Sequence, residues 1–434
     1  MQITFPIMVD PQNLPWEVLA HIFEYLPRRD RLACSMVCPQ WKDGLDYFKL
    51  WNTLIVHIDT DLMEPSTVLL VRYFNKYIKS LEIGWSYPQK STVPRLPYKH
   101  KELTKRAVRL FSILNDSLVQ LKSIKIFDWY DRFKKINYHL TRFLVRQASL
   151  KKVTFYNANL HKNDCLKLLA ACLNSKRTIN YLIIHSYHYY QSAFDSPEFL
   201  SFMEQLCNLT VLELDYFILS RGVIDAIITS RNRCLKNLDI SIRDTDAFGN
   251  PISEHEWSRL GKFCPELKVS ITIRNICHFE EVNFFLKPNI PLFSFSMYNS
   301  KTWDQSRSRQ FRRTIYLLFR QYHRTLETVN LQLKENKEVL DDVIITLIKR
   351  CPNLKSIDFH GVISNVEFLR DLCMCQLRGK NNLKYCHVLP KALNEDDHKI
   401  ISGIYKDLKN DIIKEDIEFK VINNTIKNQV YVYY

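Results

Sequence analysis

The chain has 434 residues, 46% hydrophobic and 25% charged, with a net charge of +15. A composition this apolar, without Pro, Gly or Ser tracts, excludes a largely disordered chain, and the length calls for several domains or one elongated repeat array with a small appendage. The charge predicts acidic partners without choosing among nucleic acid, anionic membrane and acidic protein. Residues 1–10 lack the basic and long apolar regions of a signal peptide, the twelve cysteines are scattered, and no apolar run approaches the length of a bilayer span. Reduced thiols and a cytoplasmic or nuclear protein, neither secreted nor anchored, are expected.

The first elements fall between Leu14 and Leu45. Pro15 suits a first helical position, and Val18, Leu19, Ile22, Phe23 and Leu26 recur at three- and four-residue spacing, which predicts an amphipathic helix of about three turns. Pro27 ends it. A second short helix is expected over Asp30–Val37, and Pro39 can open a third carrying Trp41 and Leu45. Three such helices enclose little core of their own, so their apolar residues must pack on the following domain or meet a partner.

Type, order and spacing favour the partner. Leu14-Pro15, Glu17, Ile22-Phe23, Leu26-Pro27, Val37-Cys38 and Trp41 together resemble the F-box. The resemblance implies a domain over residues 10–50 in which Leu14, Pro15, Leu19, Ile22, Phe23, Leu26, Val37, Cys38 and Trp41 contribute to the surface bound by Skp1, the linker to the cullin and RING subunits of a ubiquitin ligase. Pro39 departs from the basic residue common after the Val-Cys pair, which puts one polar contact in question and leaves the apolar surface intact.

Beyond Trp51, Leu54, Val56 and Ile58 alternate as a half-buried strand does, and a signature L-x-x-L-x-L then recurs. It reads Ile78/Leu81/Ile83, Leu121/Ile124/Ile126, Leu150/Val153/Phe155, Ile179/Leu182/Ile184, Leu209/Leu212/Leu214 and Leu235/Leu238/Ile240. After an irregular Leu267/Val269/Ile271/Ile273 come Ile290/Phe293/Phe295, Leu326/Val329/Leu331, Leu354/Ile357/Phe359 and Leu383/Cys386/Val388. The intervals run from 23 to 43 residues and cluster near 30, the period of a repeat array. Most hold a helical pattern such as Leu166/Leu169/Ala170/Leu173, Val223/Ala226/Ile227 or Val343/Ile344/Leu347/Ile348. Each unit is therefore a strand followed by a helix, with the strands parallel. A doubly wound sheet alternates in the same way, but needs no shared spacing and would be unusually wide.

The combination resembles F-box leucine-rich-repeat receptors, and the irregular repeats and the Asn394-Glu-Asp-Asp helix start look most like F-box only protein 39 and its relatives. It implies an α/β fold: a three-helix F-box, then a right-handed leucine-rich-repeat solenoid over residues 51–434 with a parallel sheet on its concave face.

Alternation along the strands points Phe127, Tyr156, Tyr181, His185, Glu213, Asp215 and Asp239 to that open face, where they are candidate substrate-binding residues. Glu82, Lys125, Lys152, Arg243, Lys334, Asp358, His360, Tyr385 and His387 share it. The acidic middle argues against a nucleic-acid groove, which needs a continuous basic lane with stacking aromatics. Arg307, Arg309, Arg312 and Arg313, at a helix start on the opposite side, read as a solvated helix face, an anionic-partner site or a nuclear-import signal. The stretch from His185 to Tyr190 follows a strand directly, and reads either as part of the binding border or as aromatics packed beneath a loop. Cys373, Cys375, Cys386 and His387 hint at zinc, but a one-residue gap is not structural-zinc spacing and Cys386 takes an inward repeat position. No metal or cofactor is expected. No phosphate-binding loop or catalytic constellation appears, and eight glycines leave little room for one. The reading is a non-catalytic substrate-recognition subunit of a Skp1-cullin-F-box ligase. A nucleic-acid-associated repeat scaffold, or a Skp1-bound protein acting outside ubiquitination, are the alternatives. The substrate itself is not legible.

Overall fold

The computed structural model describes residues 14–86, 97–129, 134–158, 160–185, 194–230, 233–243, 251–276, 278–299, 310–333, 338–378, 382–390, 394–422 and 430–431. Its chain forms two compact units, Met1–Asn208 and Leu209–Tyr434.

The first unit opens with three short helices, α1 (Trp16–Glu24), α2 (Arg28–Cys34) and α3 (Pro39–Gly44). The prolines at positions 15, 27 and 39 set each boundary, because a proline costs no internal hydrogen bond at a helix start and bars the preceding residue from helical geometry. Five parallel strands follow in sequence order: β1 (Thr53–His57), β2 (Ser80–Gly84), β3 (Ser123–Phe127), β4 (Lys152–Tyr156) and β5 (Tyr181–His185). Helices α4 (Pro65–Phe74), α5 (Pro97–Asp116), α6 (Lys134–Val145), α7 (Lys162–Ala171) and α8 (Pro197–Glu204) each follow one strand.

Buried side chains join one turn of this unit to the next. Gln147 Oε1 accepts from the Leu121 N–H at 2.8 Å while its Nε2 donates to the Val119 carbonyl at 3.1 Å, and Ser175 Oγ repeats the device one turn on, accepting from Leu150 N–H at 3.1 Å and donating to Gln147 O at 2.8 Å. Backbone groups left over where a helix turns into the next strand are thus satisfied away from water. At the other end of the strands Asp128 and Asn157 take positive φ, of 46° and 51°, a conformation that Asp and Asn tolerate better than most side chains.

The second unit continues the same architecture. Its parallel strands are β6 (Val211–Asp215), β7 (Asn237–Arg243), β8 (Lys268–Arg274), β9 (Leu292–Asn299), β10 (Thr328–Leu333), β11 (Ser356–Gly361), β12 (Tyr385–Pro390) and β13 (Glu418–Ile422), and β14 (Val430–Tyr431) pairs antiparallel with the last. The helices are α9 (Arg221–Thr229), α10 (Glu254–Phe263), α11 (Phe279–Phe285), α12 (Phe311–Tyr322), α13 (Asp341–Arg350), α14 (Glu367–Arg378) and α15 (Glu395–Lys414). The expected start at Asn394 is a capping box: its Oδ1 accepts from Asp397 N–H at 2.8 Å and its own N–H donates to Asp397 Oδ2 at 2.9 Å.

The expected α/β leucine-rich-repeat fold is therefore present. Every inward residue of the L-x-x-L-x-L signature is buried except Phe293. There the register shifts: Val269 pairs with Leu292 but Ser270 with Ser294, leaving Phe293 as the extra residue of a bulge, so that Leu292 takes the core position. The helical pattern proposed at Leu166, Leu169, Ala170 and Leu173 is also out of phase. Leu168, Leu169, Ala171 and Cys172 are the buried set: apolar residues stand at nearly every position from Cys165 to Leu173, so helical spacing fits more than one phase, and the helix gives way to a 3-10 turn at Cys172. None of the described helices is long and apolar enough to cross a membrane.

Candidate functional site

The three-helix module has a core, and it is not self-contained. Leu19, Phe23, Cys34, Leu45, Leu50 and Trp51 form one buried cluster that includes Leu70 of α4, with Trp41 packed at its margin. The Trp51 ring stacks on Phe74 of α4 at 4.1 Å, and Trp41 meets Phe23 edge-on at 5.5 Å. At Gly44 α3 lies close against α1, since a Cβ there would stand 3.3 Å from Leu19 Cβ and 3.3 Å from the Phe23 ring.

Arg31, which the sequence reading did not single out, holds this module together. Its guanidinium donates to the carbonyls of Phe23 at 2.9 Å, Leu26 at 3.0 Å, Glu24 at 3.1 Å and Leu50 at 2.6 Å. The first three are C-terminal carbonyls of α1 and its exit turn; helix geometry leaves such groups short of backbone donors, and among the described residues only Phe23 of the three also accepts from a backbone N–H, that of Leu26. Burial pulls the guanidinium below its ordinary pKa, partly offset by the Glu24 carboxylate. An arginine that reaches back across a proline-bounded turn leaves no spacing signal.

The nine residues that the F-box resemblance singles out divide by burial. Leu19 and Phe23 lie wholly in the core; Pro15, Ile22 and Val37 are exposed; Leu14, Leu26, Cys38 and Trp41 are half-buried. The exposed apolar set is wider than expected. Val18, Ile22 and Tyr25, spaced by four and three residues, form one uncovered stripe of α1, with Tyr25 77% exposed, and Met36 beside Val37 is 82% exposed. Helical spacing alone could have found the stripe, because two apolar faces cannot both point into one small core.

The sheet candidates sit on two ladders. In the first unit Gly84, Phe127, Tyr156 and His185 are in register along one row. A Cβ on Gly84 would stand 2.5 Å from the Phe127 ring and 2.1 Å from its carbonyl oxygen. Only glycine lets that ring lie across β2 and meet His57 of β1, at 5.4 Å. Tyr156 meets His185 edge-on at 6.1 Å, and the Lys152 ammonium lies 6.0 Å from the Tyr181 ring. Tyr156 and Tyr181 are exposed whereas Phe127 and His185 are largely covered, so the row offers Tyr156 beside a covered aromatic base, while Tyr181, in register with Lys152, lies at the other end of the strands. From Ser186 to Tyr190 the cluster lies outside the described residues, as do Arg307, Arg309 and Lys334.

The second ladder is polar. Glu213 and Asp239 are in register and half-exposed, but Asp215 is 1% exposed, its carboxylate 3.7 Å from the Arg243 guanidinium. It supports the face rather than offering a contact. Farther along, Asp358, His387 and Glu418 lie on neighbouring strands, with His387 Nε2 3.1 Å from Glu418 Oε1. Burial raises the Asp358 pKa against the lowering effect of His387, while a bond from Lys420, then one with His387, hold Glu418 below its ordinary value. Cys373 and Cys386 are buried, which raises both thiol pKa values, that of Cys373 to about 12. Among the described residues no three His, Cys, Asp or Glu side chains form a metal-binding group.

Comparison with known proteins bears on the module first. The F-box domain profile matches residues 11–53. Over 88 residues the chain is 40% identical to F-box/LRR-repeat protein 12 of Bos taurus and of Homo sapiens, covering 19% of this chain and 26% of each relative. It is 33% identical over 75 residues to F-box only protein 33 of Homo sapiens, covering 17% of this chain and 14% of that one. The chain thus spans about a quarter of the length of the first curated relatives it matches, 26%. The N-terminal module is an F-box domain, followed by leucine-rich repeats.

Proposed function

We propose that this protein is a substrate-recognition subunit of a Skp1-cullin-F-box ubiquitin ligase, without catalytic groups of its own. The observation that carries the reading is the uncovered apolar surface of the F-box: Val18, Ile22, Tyr25, Met36 and Val37 all stay exposed in a module where Leu19, Phe23, Cys34 and Leu45 share a core with Leu70 of α4. Skp1 covers that surface and ties the chain to the cullin and RING subunits. The repeats hold a protein substrate, raising the effective concentration of its lysines at the charged enzyme. Leu19 and Phe23 act from beneath by fixing α1, and Tyr156 and Tyr181 are the foremost candidates for substrate contact on the first unit.

The alternatives differ in what they co-purify. Affinity purification of the full chain is expected to bring down Skp1, cullin and RING subunit together with a protein substrate from cytoplasm or nucleus. Skp1 without cullin would place the protein outside ubiquitination, and nucleic acid without either would favour a scaffold driven by the +15 charge. Within the F-box proteins, the capping box at Asn394 and the uneven repeat intervals support kinship with F-box only protein 39.

A further inference from the structure

On the helix side of the second unit, three successive repeat helices enclose a groove of about 840 Å³. Phe279 comes from α11, Thr346 and Arg350 from α13, and the remaining wall from α12. Arg313, Tyr316, Arg320 and His323 are spaced by three, four and three residues, which puts them on one side of α12 over about 15 Å of rise.

Two properties separate this groove from an ordinary helix surface. No carboxylate lines it, although three arginines and a histidine do. Arg313 is compensated from outside by Glu280 at 3.2 Å and lies over the Phe279 ring at 4.1 Å, whereas Arg320, His323 and Arg350 have no ion-pair partner among the described residues. Its walls are also aromatic, with Tyr316 and Phe319 edge-on at 5.1 Å opposite Phe279. Cations at helix C-termini complement the helix dipole, which accounts for where Arg320 and Arg350 sit along their helices. It does not account for the aromatic walls or for the missing carboxylates.

We propose that this groove binds an acidic segment of a partner protein that also carries aromatic or large apolar side chains. The volume suits several side chains rather than one small anion. Guanidinium groups pair two-pronged with carboxylates, and the aromatic walls take the apolar side chains between them. Nucleic acid fits less well, because it needs a basic lane running beyond the groove, and Glu280, Glu281 and Asp342 stand at the starts of the flanking helices. The groove is lined wholly by residues of helices and helix ends of the second unit and by none of the F-box or strand candidates, so it does not depend on the ligase reading.

The test uses the full chain and the fluorescein-labelled peptide Asp-Glu-Phe-Asp-Glu-Phe, followed by anisotropy. The expected result is saturable binding that weakens as salt is raised and falls at least about tenfold in Arg320→Glu/Arg350→Glu, whose melting temperature stays within a few degrees of the parent, since charge-assisted bonds of this kind are lost. Both side chains are exposed, so the substitutions leave the core intact. Absence of binding, equal binding of the double variant, equal binding of the Asn-Gln-Phe-Asn-Gln-Phe peptide, or tighter variant-sensitive binding of a single-stranded oligonucleotide would each overturn the proposal. Skp1 capture by the double variant is expected to be unchanged; its loss would also count against a groove independent of the F-box.

Discussion

The F-box and the repeats handle apolar residues in opposite ways. In the repeats, inward positions such as Leu212, Leu238 and Leu331 are at most 1% exposed, and the side chains between them are polar or half-exposed. In the F-box, α1 carries apolar residues on both sides: Leu19 and Phe23 in the core, Val18, Ile22 and Tyr25 outside it. A repeat buries its surface against the next repeat, so its pattern is complete within the chain. Three short helices have no such neighbour on one side, and their outer apolar face remains uncovered.

The comparison breaks most visibly at a repeat core position. Leu212→Asp buries a carboxylate without a partner and is expected to cost about 4 kcal/mol or more, unfolding the turns around β6. Glu213→Ala, one residue along, should stay within about 0.5 kcal/mol of the parent. Equal losses in urea melts would refute the strand register. In the F-box, Phe23→Ala removes a buried ring and should cost about 3–5 kcal/mol, with Skp1 binding lost because the fold is lost. Trp41→Ala should fall between the two regimes. Its ring meets Phe23 but is half-exposed, so stability is expected to drop by about 2 kcal/mol with Skp1 affinity falling beyond that loss. An unchanged melting temperature would move Trp41 wholly to the outer surface.

Legibility followed the same divide. The repeat signature made the strands readable because their side-chain period is locked to burial, and it failed where a bulge at Phe293 slipped that period by one. The phase of α7 was lost for another reason: apolar residues at nearly every position from Cys165 to Leu173 let helical spacing fit more than one face. In the F-box, the resemblance named the right helices but mixed core with surface, since motif residues are kept for either role. Long-range polar parts left no trace: the Arg31 clamp, Gln147 and Ser175 between turns, and Gly84 beneath Phe127 all depend on residues that only the fold brings together.

The smallest expected effect concerns charge in the repeats. Glu327 accepts from Lys268 and Lys355, each at 2.6 Å, and these bonds, Lys268 first, hold its pKa below the ordinary glutamate value. A carboxyl depressed in the folded state contributes stability that is fully present above its unfolded pKa and is lost as pH falls through the folded one. Glu327→Gln should therefore lower stability at neutral pH by less than about 1 kcal/mol, and flatten the acid limb of a pH-stability profile. A difference between the two proteins that grew toward low pH would contradict the assignment.

The central claim is that the outer face of the F-box binds a partner and does not hold the fold. Ile22→Asp/Val37→Asp tests it most directly, because both side chains are exposed, at 42% and 57%. Measured side by side on the purified full chain, the melting temperature should stay within a few degrees of the parent, while Skp1 affinity should fall by about thirtyfold or more, the loss typical of removing two central apolar contacts. Unchanged Skp1 affinity at an unchanged melting temperature would contradict the account.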